Sequence, residues 1–329
     1  MNPSQEYTSV QTVDCSRYFG ALPAMVRIHQ SVKITLSDHA YLPNGELEHG
    51  WLPLSLNAFM KMSKRDENGR DFESICFIGI GAGVDALVAV ELLHPQRLVL
   101  TDLHEDVINM ALSNIQRNCH PFAVPQIDRF ISDVCSGVIS LGDKHDLICE
   151  NLPNLPANDS ASLYQGSTTA SFFDSARYDE IPARYGDDFL SLHYTFLKQA
   201  RECLSKDGSV MCCIGIRVPY ATVLSMFRDL HYEVDVLSCG LVVQLNTDNV
   251  LQGYATAEAA GHAPFAFYPY REASALLASR RTADSGIEEL VELLKPLKVS
   301  AAEAVRATSN GTEVCHIGAV FSGRPIKEA

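Results

Sequence analysis

The run Phe77-Ile78-Gly79-Ile80-Gly81-Ala82-Gly83-Val84-Asp85 limits what this chain can fold into more than any other segment. An apolar stretch, Ile75-Cys76-Phe77-Ile78, passes through three alternating glycines into a second apolar stretch, Val84 to Leu93. Glycine lets a backbone turn sharply and approach a ligand with no Cβ in between. A strand, a tight turn and a helix in that order open a parallel sheet. The downstream pattern repeats the unit. A strand is expected at Arg97 to Thr101, ending at Asp102, and then a helix from Asp106 to Asn118. That helix carries Val107, Ile108, Ala111, Leu112 and Ile115 on one face. Strands follow at Arg129 to Ser132 and Asp146 to Cys149, then a helix from Phe189 to Leu204. A Lys206-Asp207-Gly208 turn leads to a strand at Ser209 to Ile214. A helix from Tyr220 to Leu230, a strand at Tyr232 to Leu237 and a last strand at Glu313 to Phe321 complete a doubly wound α/β sheet.

The remaining segments are expected to decorate that sheet. Residues 1–70 form an N-terminal covering segment, in which Trp51 to Met62 packs beside the first strand, and residues 71–244 form the core. Residues 245–310, with Phe265, Phe267, Tyr268, Tyr270 and a helical run from Ile287 to Leu294, form a cap or oligomer surface. Residues 311–329 supply the last strand and the tail. With 26 Lys+Arg against 40 Asp+Glu, the net charge of −14 repels phosphate backbones and excludes a nucleic-acid partner. Met1 to Thr12 lacks the order of a secretory signal and no apolar run reaches membrane-spanning length, so a cytoplasmic, membrane-free protein is expected. Ten scattered cysteines without Cys-x-x-Cys spacing read as reduced core residues, and no metal centre is expected. A homodimer stays open.

Several residues converge where a nucleoside would lie. Gly79, Ile80, Gly81, Ala82 and Gly83 form the turn. Asp102 ends the next strand, where its carboxylate can accept from both hydroxyls of a ribose. Asp133, just past the third strand, is placed to take an adenine amino group, with Leu103 and Val134 covering the ring. Either acid can instead cap a helix. Gly81 to Ala86 also satisfies the Gly-x-Gly-x-x-Ala pattern of nicotinamide-dinucleotide sites, so the glycines alone do not choose the ligand.

The choice turns on Glu150-Asn151-Leu152-Pro153-Asn154, at the end of the fourth strand. Leucine and proline stiffen this turn, so that the Asn151 side chain, which also borders the cofactor, can hold an acceptor nitrogen and aim its lone pair. With the glycine turn and Asp102, these residues resemble class I S-adenosylmethionine-dependent methyltransferases over about residues 70–240. The resemblance implies a Rossmann-like fold and S-adenosylmethionine as cofactor. The Asn151 turn is similar to the Asn-Pro-Pro-Tyr motif of amino methyltransferases, including those that modify a glutamine of release factors. Leu152 stands here for the first proline and Asn154 for the aromatic residue, which removes the stacking platform for a planar base or amide. Val32-Lys33-Ile34-Thr35-Leu36, the Trp51 segment, Gly215-Ile216-Arg217-Val218-Pro219 and Phe265-Ala266-Phe267-Tyr268 resemble, more faintly, the methyltransferase part of plant methionine S-methyltransferases, which implies an amino-acid-like substrate.

Substrate-binding residues are expected in the Asn151, Leu152, Pro153, Asn154 turn and at Tyr164, Arg177, Tyr178, Tyr185 and Tyr194 in the stretch that follows. Arg184 is a second cation there. Glu150 and His193 are candidate bases if the acceptor is a cationic amine. The expected activity is N-methylation of a small amino-acid-like, amine or guanidine metabolite. The rivals are methylation of a protein side-chain amide, transfer to sulfur, oxygen or carbon, a nicotinamide-dependent oxidoreductase, and a non-catalytic cofactor-binding module.

Overall fold

A computed structural model describes residues 12–22, 24–37, 39, 50–65, 72–155, 180–244, 247–262, 264–280 and 286–326. Its strands are β1 (Thr12–Asp14), β2 (Lys33–Thr35), β3 (Ser74–Ile78), β4 (Arg97–Asp102), β5 (Gln126–Ile131), β6 (His145–Glu150), β7 (Leu204–Ile216), β8 (Tyr232–Val243), β9 (Tyr268–Pro269) and β10 (Val314–Pro325). The helices that position the site are α1 (Ser16–Phe19), α2 (Leu52–Arg65), α3 (Val84–Leu93), α4 (Glu105–Asn118), α5 (Ser136–Leu141), α6 (Ala183–Asp187), α7 (Ser191–Ala200), α8 (Tyr220–Asp229) and α9 (Thr247–Ala259).

The main sheet runs β5-β4-β3-β6-β7-β10-β8, with β9 joining the start of β10. Strands β3 to β7 pair in parallel, whereas β10 lies antiparallel between β7 and β8. This is the doubly wound α/β fold anticipated. The chain leaves β3 toward β4 on one side and returns to β6 on the other. That reversal opens a crevice outside the carboxyl ends of β3 and β6, where such sheets bind ligands.

Every residue of β3 is buried, as a parallel strand covered on both faces requires. Side chains alternate between two cores. Ile75 and Phe77 join Leu98, Leu147 and Met211 under α2, α3 and α4. Cys76 and Ile78 join Ile148, Val210 and Phe196 on the other face. The stretch 245–310 contributes Val250, Leu251, Tyr254, Phe265, Phe267 and Leu290 to this second core, so its helices share the packing of the strands.

Two local expectations change. Lys206-Asp207-Gly208 is no turn. Strand β7 continues through it with a register shift against β6, and a Cβ on Gly208 would lie 2.7 Å from the His145 carbonyl oxygen, so glycine permits a bulge inside one strand. The helix expected from Phe189 begins at Ser191, because Phe189 sits in the left-handed region at φ 57°. Helix α2 lies across α3, β8 and β10, and its Leu54 and Phe59 share one core with Ile75 and Phe77 of β3. The ten cysteines are all free, and all but Cys239 are buried.

The N-terminal cover is held by side chains that complete its backbone hydrogen bonds. Glu91 of α3 accepts from the backbone N–H groups of Val26, Arg27 and Ile28 at 2.8–2.9 Å. On α4, Asn114 and Asn118 lie one turn apart and act as a surrogate strand for β2. Asn114 accepts from Thr35 N–H and donates to Thr35 O, while Asn118 does the same with Lys33. Asn114 also donates to the Ala82 carbonyl at 3.0 Å, which ties the cover to the glycine turn. Replacing Asn114 by alanine leaves a buried Thr35 N–H unpaired, so urea denaturation should show a loss of about 1–3 kcal/mol. An unchanged midpoint would mean that the ladder adds nothing.

Candidate functional site

The three glycines of the turn have positive φ: 67° at Gly79, 53° at Gly81 and 80° at Gly83. Each position has its own surroundings. A Cβ on Gly83 would press on Ala111 of α4 at 3.2–3.3 Å, so this glycine seats α3 against α4. A Cβ on Gly79 would come within 2.9 Å of Leu152 Cδ2, so the first glycine touches the turn that follows β6. Among the described residues, nothing lies within 4 Å of the Cβ position of Gly81. Its backbone therefore faces open space, as a ligand cradle requires. The turn is fixed to β4 by Ile80 N–H donating to Thr101 O at 2.9 Å.

Asp102 stands opposite this opening. Gly81 N–H donates to its Oδ2 at 3.4 Å and His104 N–H to its Oδ1 at 3.3 Å. Burial raises its pKa, against the pull of those two N–H groups. The next residue, Leu103, is an exposed apolar side chain at 47 %, available to cover a flat ring. Past β5, Val134 adopts φ 51°, unusual for a β-branched residue. The local hydrogen bonds hold it there: Ser132 Oγ donates to Val134 O at 2.7 Å and accepts from Gly137 N–H. The Val134 side chain is buried in the second core, and half-buried Asp133 occupies the neighbouring position at the strand end.

The turn after β6 is pinned on both sides of Asn151. Glu150 Oε2 accepts from Leu152 N–H at 2.7 Å, and its Oε1 lies 2.9 Å from His193 Nδ1 of α7. The two candidate bases thus meet, but both side chains are fully buried. Their placement is that of a clamp behind the turn. Asn154 is buried too: its Nδ2 donates to Gly215 O at 2.8 Å and its Oδ1 accepts from Arg217 Nη1 at 2.8 Å. Tyr254 OH of α9 donates to the Asn154 carbonyl. Leu152 and Pro153 are half-buried, whereas Asn151 is exposed and makes no side-chain hydrogen bond among the described residues.

Tyr185 and Tyr194 go elsewhere. Tyr185 is fully buried, donates to Asp229 Oδ2 of α8 at 2.6 Å and stacks on Tyr194 at 5.3 Å, so the two rings belong to the packing of α6, α7 and α8. Arg184 pairs with the same Asp229. Tyr164, Arg177 and Tyr178 fall outside the described residues. Sequence reading missed a buried polar group in which Arg217 joins Asn154, Gln244 and His316.

One group of potential metal ligands occurs among the described residues: His39, His104 and Asp106. The two imidazoles stack at 4.5 Å with planes only 8° apart. An ion in the plane of one ring would lie outside the plane of the other, and His39 Nδ1 is already bonded to Asp106 at 3.0 Å. The arrangement is a stacked pair at the start of α4, without the geometry of a formed metal centre.

No model of a known protein family matches the chain. Among solved structures it is similar to the YcgJ protein of Bacillus subtilis, at 14% identity over 82% of this chain and 99% of that one, with a TM-score of 0.41. A putative methyltransferase from Bacillus halodurans aligns at 12% identity over 81% of this chain and 99% of that one, with a TM-score of 0.40. A SAM-dependent methyltransferase from Agrobacterium tumefaciens aligns at 15% identity over 74% and 65%, with a TM-score of 0.40. Likeness this distant transfers no residue roles. Among the described residues, no helix is long and apolar enough to cross a membrane.

Proposed function

We propose that this chain is a class I S-adenosylmethionine-dependent methyltransferase that methylates a nitrogen of a small amino-acid-like, amine or guanidine metabolite. The observation that carries the reading is the open backbone at Gly81, facing Asp102 at 3.4 Å with Leu103 exposed beside it. These residues fit an adenosine: the carboxylate accepts from the ribose, the glycine backbone lies close, and the leucine covers the ring. The strand order argues against a nicotinamide enzyme, because the dinucleotide-binding sheet runs 3-2-1-4-5-6 and here, counting from β3 as the first, antiparallel β10 stands between the fifth and sixth strands, β7 and β8.

Bound S-adenosylmethionine would supply a methyl on a sulfonium, open to in-line attack by the acceptor nitrogen, with the thioether sulfur of adenosylhomocysteine as the leaving group. The chain's contribution is positioning. Asn151, exposed on a turn that touches Gly79 through Leu152, accepts a hydrogen bond from the acceptor N–H and aims the lone pair. Glu150 and His193 hold that turn and, enclosed as they are, do not take the proton, so a cationic acceptor gives its proton to solvent before its lone pair attacks.

Adenosylhomocysteine should bind the purified chain in the presence of EDTA, with NAD at least a hundredfold weaker; calorimetry reads both. Tight NAD binding with no adenosylhomocysteine heat would sink the reading. Incubating the enzyme with a metabolite extract and methyl-labelled cofactor then separates a small acceptor from a protein amide.

A further inference from the structure

We infer that the acceptor carries a carboxylate and that the Nε2–H of His316, backed by Arg217 and flanked by Trp51, receives it; this rests on the methyltransferase reading above. The position comes from the sheet. Register pairs Ile317 with Ile216 and Cys315 with Val243, so His316, Arg217 and Gln244 sit together at the carboxyl edge of β7, one strand beyond the Asn151 turn. Arg217 folds back over Gly215, where a Cβ would lie 2.3 Å from its Nη1. Only glycine leaves room for the guanidinium.

The hydrogen bonds fix what His316 can offer. Arg217 donates to Asn154 Oδ1 at 2.8 Å, to Gln244 Oε1 at 2.9 and 3.2 Å, and lies 3.3 Å from His316 Nδ1. A guanidinium has no acceptor, so Nδ1 of His316 accepts and the ring hydrogen resides on Nε2. Burial, reinforced by Arg217, pushes the His316 pKa well below its ordinary value, which keeps the ring neutral in that tautomer. His316 is 1 % exposed and its Nε2 has no hydrogen-bond partner among the described residues. A buried donor of fixed direction without an acceptor is costly to keep, and such groups call for an explanation. A negatively charged oxygen answers it best, because a carboxylate is a stronger acceptor for a fixed N–H than a neutral oxygen. The Trp51 ring, 6.1 Å from His316, is only half-buried. Asn154 bonds to Arg217 and belongs to the same turn as Asn151. The proposed acceptor is accordingly a molecule with a carboxylate for His316 and a nitrogen for Asn151.

Trp51 is the sole tryptophan of the chain, so its fluorescence reports on this subsite directly. The full chain, saturated with adenosylhomocysteine at constant ionic strength, is titrated with acetate against acetamide and with glycine against glycinamide. A saturable change is expected for the carboxylates, with the amides at least about tenfold weaker, the factor that one charge-assisted hydrogen bond supplies. His316→Phe should abolish the preference, His316→Gln, which keeps a donor, should retain part of it, and both should bind adenosylhomocysteine normally. Equal responses to acid and amide, no saturable response in the unmodified chain, or an unchanged preference in a folded His316→Phe chain would overturn the assignment, leaving Nε2 to a buried water. Failure of adenosylhomocysteine to bind at the outset would instead remove the methyltransferase reading.

Discussion

Replacing Asp102 by alanine should weaken adenosylhomocysteine binding by about a hundredfold or more in a chain that still folds. The carboxylate accepts from two ribose hydroxyls in the proposed complex, and each charge-assisted bond of this kind contributes roughly 1.5–3 kcal/mol. Binding and folding should respond in opposite directions. Burial raises the pKa of Asp102 in the folded chain. Between the ordinary carboxylate value and that raised value, the native state holds a proton that the unfolded state has lost. Stability from this group is therefore fully present below the ordinary value and is lost as pH rises through the window. At neutral pH the ionised group costs stability. An Asp102→Asn chain should consequently melt at or above the temperature of the unmodified chain at pH 7, with the difference vanishing below the carboxylate range, while its cofactor affinity collapses. Thermal melts at two pH values and calorimetry with adenosylhomocysteine check both halves. Unchanged affinity in a folded variant would remove Asp102 from the ribose.

The parts of this arrangement that were legible in the sequence are those made by neighbours along the chain. Gly79 to Gly83 with the strand before and the helix after is a local unit, and Asp102 follows from the next strand's end. What stayed hidden is set by long-range contacts. His193 meets Glu150 across 43 residues, and Arg217 meets His316 across 99, through elements whose periodicity says nothing about which polar side chain faces which. The N-terminal cover was illegible for another reason: β2 is completed by the amides of Asn114 and Asn118 instead of a partner strand on that side, and no hydrophobic pattern announces such a ladder. Gly208 misled because glycine marks a turn and a close strand approach with the same letter.

Asn151→Ala is expected to lower turnover by about a hundredfold with adenosylhomocysteine affinity within about twofold of the unmodified chain. The reasoning starts from how the turn is held. Glu150 fixes the Leu152 N–H, Leu152 rests against Gly79, and Asn154 is anchored to Gly215 and Arg217, so the backbone on both sides of Asn151 is set without help from its side chain. That side chain is exposed. Truncating it should leave the melting temperature within a degree or two, and the whole effect should fall on the aim of the acceptor nitrogen, where a misplacement of about 1 Å costs on the order of a hundredfold in rate. Glu150→Ala provides the contrast. It strips His193 Nδ1 and Leu152 N–H of their acceptor in a fully enclosed place, and leaving a buried donor unpaired costs about 1–3 kcal/mol. Its loss of turnover should come with a loss of stability, whereas that of Asn151→Ala should not. The measurement is turnover with labelled methyl donor beside thermal melts of each variant. Full activity in Asn151→Ala would reduce the turn to a scaffold and leave the choice of nitrogen as acceptor without its main structural support.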